Sequence, residues 1–245
     1  MDHSPWAWDL GWAEIVVLAA AGLAYAWALR RFPASRARTV CFAAALLVVA
    51  AALLSPLSTI AQHYLLSAHL VQNVALAEWA PLLAVIGIPP ALAAALTANA
   101  PAHFLTHPLV ALPLWTVGYF VWHVPAVYDA ALRSHPLLQL EHACYVATGL
   151  LLWWPVVHET PHDLPAGRRA AYVFAAFLLA SPVAFFLSFL PEPVYGFYEE
   201  APRIWDISPL ADQQAAGVLM SVSEAVIFFA VFAFYLARFF VEEGG

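Results

Sequence analysis

Between Arg38 and Glu78 the chain carries no Asp, Glu, Lys or Arg, and after Glu78 there is none again until Asp129. Apolar runs of this length without charge are the signature of transmembrane helices. With 64% hydrophobic and 10% charged residues, the chain is too poor in polar groups to coat a soluble domain of 245 residues. The nine basic residues are all arginine and the net charge is −7, which argues against nucleic acid as a partner and leaves the lipid bilayer as the surrounding medium.

A helix rises about 1.5 Å per residue, so about 20 residues cross the hydrocarbon. Seven segments qualify: 12–29, 39–56, 63–88, 109–124, 138–157, 170–190 and 213–238. The expectation is an all-α membrane protein, a bundle of seven transmembrane helices forming one domain over residues 1–245. The stretch 91–100, "ALAAALTANA", is too short to span and reads as loop or a short interfacial helix. Cys41 and Cys144 lie in apolar runs without a C-x-x-C, so neither a disulfide framework nor a thiolate metal pair is expected. The start, "MDHSPWAWDLGW", lacks a positive n-region, so no cleaved signal peptide is expected. Trp6, Trp8 and Trp12 suit an interfacial anchor, with His3 and His63 exposed near the same face.

Arginines orient the bundle. Arg30, Arg31, Arg36, Arg38, Arg168, Arg169 and Arg238 fall on one side if the N-terminus is outside, and only Arg133 and Arg203 fall on the other. The positive-inside rule then gives an external N-terminus and an internal C-terminus. The loop 191–212 is external and carries Glu192, Glu199, Glu200, Asp206 and Asp212.

With that orientation, polar residues on four spans fall at one depth in the outer third. His69 enters on the third span, with Asn73 one turn below on the same face and Gln72 beside it. His123 ends the fourth span, where Pro125 stops the helix, and His142 with Glu141 opens the fifth. Asp212 and Gln213 open the seventh, with Met220 on nearly the same stripe. Imidazoles suit copper, zinc and iron, and a thioether favours copper(I). His69, His123, His142, Asp212 and Met220 are therefore candidate metal ligands, and Asn73, Gln72, Glu141 and Gln213 candidate groups to orient them. A lone membrane histidine is more often a hydrogen-bonded packing residue, and Met220 taken alone is core filler. Their common depth is what favours a shared site. His103, His107, His135, His158 and His162 read as surface groups in loops or beside prolines. Glu78 and Glu224 lie deeper, and the sequence offers neither a partner. Zinc-protease, nucleophile-elbow, P-loop and dinucleotide motifs are absent, so no enzyme is indicated.

"SAHLVQNVALAEWAPLLAVIGIP", "WHVPAVYDAAL", "LEHACYVATGLLLWWPV" and "DQQAAGVLM", in that order and spacing, resemble the multi-span CtaG family of bacterial cytochrome c oxidase assembly factors. The resemblance implies a seven-helix protein of the bacterial cytoplasmic membrane that assists haem–copper oxidase assembly at the copper stage. It implies an integral membrane oxidase subunit as partner, and leaves a homodimer open. His69, His123, His142, Asp212 and Gln213 fall on the family's polar positions. Where the family commonly has a second histidine one turn after the first, this chain has Asn73, and where a Trp often follows the "LM" it has Ser221. Two other readings stand beside copper handling: a membrane haem protein or copper permease, and a metal-free scaffold. Haem electron transfer would prefer ligand pairs at two depths, and a permease would want ligands stepping down the bundle.

Overall fold

The computed structural model describes residues 4–243; residues 1–3 and 244–245, with His3 among them, lie outside the described residues. Among the described residues all regular structure is helical. In chain order the helices are α1 (Trp12–Ala28), α2 (Arg36–Leu54), α3 (Pro56–His63), α4 (Leu66–Val74), a π-helical turn (Ala75–Trp79), α5 (Ala80–Gly87), α6 (Pro90–Leu96), α7 (Ala100–Leu105), α8 (Pro108–Trp122), α9 (Pro125–Leu132), α10 (His135–Val157), α11 (Ala166–Phe189), α12 (Gly196–Glu200) and α13 (Pro209–Glu243). All seven apolar segments are helical. Among the described residues four helices are long and apolar enough to cross a membrane, α2, the run Leu66–Gly87, α11 and α13, and a fifth span results if α8 and α9, bent by 74°, count as one. The protein is a membrane protein.

Several boundaries differ from the sequence reading. The third segment is not one helix from 63: Pro56 starts the separate α3, the chain breaks at Tyr64 and Leu65, and α4 begins at Leu66. The seventh helix runs from Pro209 to Glu243, longer at both ends. The stretch after Pro90 holds two short helices, the second capped by Asn99, whose side chain accepts from the Ala102 N–H at 2.9 Å.

The run Leu66–Gly87 is the central element: 67% of its apolar window is buried, against 11% for α2. Its π turn has an identifiable cause. Pro81 has no N–H to donate and its ring would collide with the carbonyl four residues back, at Ala77, so the helix widens before it. The Ala80 N–H accordingly bonds the Ala75 carbonyl, five residues back. α10 crosses at this point with Gly149, where an added Cβ would lie 2.2 Å from the Ala77 oxygen and 2.7 Å from the Pro81 ring. α13 packs on α11 in the same manner: a Cβ at Gly217 would meet the Ala184 oxygen at 2.6 Å. Small residues that let backbones approach are the usual membrane solution, since lipid supplies no hydrophobic drive between helices.

Two arginines fasten one end of the bundle. Arg38 donates to the carbonyls of Ile86 (2.7 Å) and Ile88 (2.9 Å), which end α5. Arg169 donates to the carbonyl of Val156 (2.9 Å), at the end of α10, and to that of Leu164 (2.7 Å), in the loop before α11. A cation that bonds the last carbonyls of a helix also favours its dipole. His158, just past α10, lies in the field of both: burial and then the Arg38 charge push it down to about 4. It is buried, not the surface group its loop position suggests.

Candidate functional site

At the opposite end from these arginines, the polar residues of the central helix meet a lid of tyrosines. The Leu66–Gly87 run begins without a capping side chain of its own, because Leu65 precedes it. Asp212 of α13 supplies the cap instead: its carboxylate accepts from the N–H groups of Leu66 (2.7 Å) and Ser67 (3.0 Å). Both oxygens of Asp212 are thereby engaged by backbone. Gln213 also works on backbone, accepting from the Val194 N–H (2.8 Å) and donating to the Glu192 carbonyl (3.1 Å). It ties the loop around Glu192–Val194 to α13. Gln72 turns away from the histidines and donates to the Ala52 carbonyl of α2 at 2.7 Å.

The loop so fixed brings α12 over His69. Burial, then the nearby Asp212 and Glu141 charges, hold the Tyr198 hydroxyl well above the ordinary phenol value, so it keeps its proton. It donates that proton to the Ala61 carbonyl. Its oxygen then accepts from His69 Nδ1, 2.9 Å away. His69 therefore carries its hydrogen on Nδ1 and leaves a lone pair on Nε2. That atom is buried, lies 3.9 Å from Glu141 Oε1, and has no hydrogen-bond partner among the described residues. His123 reaches the same tautomer by another route: its Nδ1 lies 2.7 Å from the Tyr119 carbonyl, which can only accept, so Nε2 again keeps its lone pair without a partner. His142 Nε2 is likewise buried and unpartnered among the described residues. An imidazole fixed through one nitrogen with the other left open is the arrangement found at metal sites.

Shared depth does not become one point of convergence. The His69 and His142 rings lie with centroids 6.3 Å apart. Glu141 sits beside them, its Oε1 accepting from Asn73 Nδ2 at 3.2 Å and its Oε2 unpartnered among the described residues. His123 faces Tyr128 and Tyr145 instead, at 6.2 and 6.4 Å between centroids. Among the described residues no three His, Cys, Asp or Glu side chains come together to hold one ion. His123 joins Met220, Glu78, Asn73, Tyr119 and Tyr145 around a small cavity further along the central helix. Asn73 touches both groups.

The two deep carboxylates also find their surroundings. Glu224 accepts a short hydrogen bond from the Tyr119 hydroxyl, and Glu78 lies within its electrostatic reach from the π turn.

Five tyrosines belong to this region and were not anticipated: Tyr119, Tyr128, Tyr145, Tyr195 and Tyr198. Tyr195 stacks on Tyr128 at 4.2 Å and donates to the His123 carbonyl at 3.1 Å. The available signal was "VYGFYEE", two tyrosines three apart that share one helix face at the edge of an acidic loop.

Residues 23–242 match the family model described as cytochrome c oxidase caa3 assembly factor (Caa3_CtaG), and the chain belongs to that family. No curated protein and no solved structure matches it.

Proposed function

We propose that this assembly factor handles copper(I) for the oxidase: it receives the ion on the outer side of the membrane and hands it to an integral oxidase subunit. The observation that carries this reading is the His69 ring, held at Nδ1 by Tyr198 and bearing a buried, unspent lone pair on Nε2. His142 is the second imidazole donor, and Glu141, 3.9 Å from His69 Nε2, is a counter-charge beside the pair rather than a third ligand. Two imidazoles sharing one ion, at about 2 Å per metal–nitrogen bond, have centroids roughly 6 Å apart, and those of His69 and His142 are 6.3 Å apart. Bound copper would supply the redox metal of the oxidase as cargo; the residues here would hold it and shield it from water. Asp212 and Gln213 position the lid. The role is non-catalytic, in keeping with a family described by what it assembles.

The topology we propose is a multi-pass, seven-span bundle in the bacterial cytoplasmic membrane, with the N-terminus outside and the C-terminus inside. Arg38 and Arg169 support it, because both act at one end of the bundle while the acidic lid lies at the other. A C-terminal reporter fusion tests the orientation, and an external C-terminus would overturn it.

The copper reading is tested by anaerobic titration of the purified protein with copper(I) against a chromogenic chelator. At least one ion per chain should bind, and His69→Ala and His142→Ala should each lower its affinity by a hundredfold or more. Folded protein that takes no copper would leave the scaffold reading, and a haem spectrum in the same sample would establish the haem reading instead.

A further inference from the structure

At the arginine end of the bundle, α11 and α13 leave between them an open groove of about 530 Å³. Its walls are mostly apolar: Phe232, Leu236 and Phe239 from α13, with Ala170 and Ala171 from α11. The two helices approach closely at Gly167, where an added Cβ would lie 2.9 Å from the Phe239 ring. Charged residues line the same groove, but only at the helix ends. Arg168 is in the first turn of α11, and Glu242 and Glu243 are in the last turn of α13. Phe232 lies about 16 Å back along the α13 axis from Glu243. The groove therefore runs from a charged mouth at the membrane surface to an apolar slot beside the hydrocarbon.

Those charges are not spent on one another. Arg169 is buried and bonds backbone, whereas its neighbour Arg168 is exposed and makes no ion pair or hydrogen bond among the described residues. Glu242 is held by Arg238 of its own helix at 3.2 Å, and Glu243 has no cationic partner among the described residues. The start of α11, which has no capping side chain, adds the positive end of the helix dipole to the Arg168 charge. The mouth thus carries both signs. A purely anionic headgroup would meet Glu243 as repulsion, and a purely cationic one would meet Arg168. A phosphate and a primary ammonium on one molecule answer both. Guanidinium and phosphate pair through two parallel N–H···O bonds. A primary ammonium has three N–H donors for carboxylates, which a quaternary ammonium lacks. The volume lies within the range of about 300–1,000 Å³ usual for small-molecule sites.

We propose that this groove binds one molecule of an ethanolamine phospholipid from the leaflet at the arginine end. Its phosphate pairs with Arg168, its ammonium with Glu243 and Glu242, and one acyl chain lies along Phe232, Leu236 and Phe239. The lipid then joins the start of α11 to the end of α13, the helix whose other end carries Asp212 and Gln213. The site stands independently of the copper reading.

The test uses the full chain in detergent, titrated with dioleoyl phosphatidylethanolamine, phosphatidylcholine and phosphatidylglycerol, with bound lipid counted by native mass spectrometry. One ethanolamine lipid per chain should bind at least fivefold more tightly than either of the others. Arg168→Gln should weaken it tenfold or more. Glu243→Gln should reduce the preference over the choline lipid to less than twofold. Ala171→Trp, which fills the groove, should abolish the bound lipid. Arg36→Gln removes an exposed arginine that does not line the groove and should change nothing. Equal retention of the three lipids, unmoved by Arg168→Gln and Glu243→Gln, would mean ordinary surrounding lipid and overturn the proposal. A preference for the glycerol or choline lipid would overturn it too. So would a lipid-free dimer that Ala171→Trp disrupts, since a second copy would then cover the groove.

Discussion

α2 and the run Leu66–Gly87 are both long and apolar enough to span a membrane, yet they occupy opposite environments. α2 has 11% of its apolar window buried and presents Val40 and Leu47 to lipid, while the central run has 67% buried and holds His69, Asn73 and Glu78 inside the bundle. The more uniformly apolar helix is the peripheral one. In a membrane, lipid is as good a solvent for Leu as a protein core, so burial is needed by polar side chains and close backbone contacts. The polar residues of a span therefore mark which helix the others surround.

The sharpest way to break this comparison is at the helix crossing beneath the site. Gly149→Leu should drive a side chain into the Ala77 carbonyl and Pro81 and cost about 3 kcal/mol or more, read as a large fall in melting temperature in detergent. Gly22→Leu in α1 is the matched control: a Cβ there meets only Leu46 at 3.5 Å, and stability should move by less than about 0.5 kcal/mol. Equal melting of the two variants would refute the close approach.

Next in size is the borrowed cap. Asp212→Ala leaves the Leu66 and Ser67 N–H groups without an acceptor and should cost about 2 kcal/mol, with faster hydrogen exchange at those two amides. Unchanged exchange would show that the cap contributes nothing. A smaller effect, confined to function, is expected from Tyr198→Phe. It keeps the ring but frees His69 Nδ1, so copper(I) affinity should fall about tenfold to a hundredfold, the usual weight of a group that orients a ligand. Tyr25→Phe, which loses a hydrogen bond to the Gly87 carbonyl on the periphery, should cost about 1 kcal/mol and leave copper affinity as it was. Smallest of all is Leu47→Ala on the lipid face of α2, where the change should stay below about 0.5 kcal/mol in thermal melting.

Much of the fold was legible because hydrocarbon imposes a long, charge-free helical signal, and each of the seven segments carrying it is helical. The breaks were less so. Pro81 announced a disturbance but not a π turn, and nothing around Tyr64 signals that the helix restarts two residues later under a cap from position 212. In the site, helix rise gave depth but not direction around each axis. Depth alone sets His69, His123 and His142 side by side, whereas rotation about the helix axes puts His69 with His142 and His123 among Tyr119, Tyr128 and Tyr145. The tyrosine lid was hidden for a different reason: its residues come from a loop and from short helices on either side, whose placement follows from contacts and not from hydropathy.

The cap on the central helix sets a schedule for biosynthesis. Leu66 and Asp212 are 146 positions apart, so the helix that surrounds nothing by itself emerges long before the carboxylate that closes its end. At about 5–20 residues per second of synthesis, the interval is on the order of ten seconds. Throughout it the first amides of that helix must be served by water or lipid headgroups, and the tyrosine lid, anchored by the neighbouring Gln213, has nothing to fasten to. A truncated or stalled chain therefore keeps an open mouth, and the chamber becomes a closed compartment only when the last helix is in the bilayer.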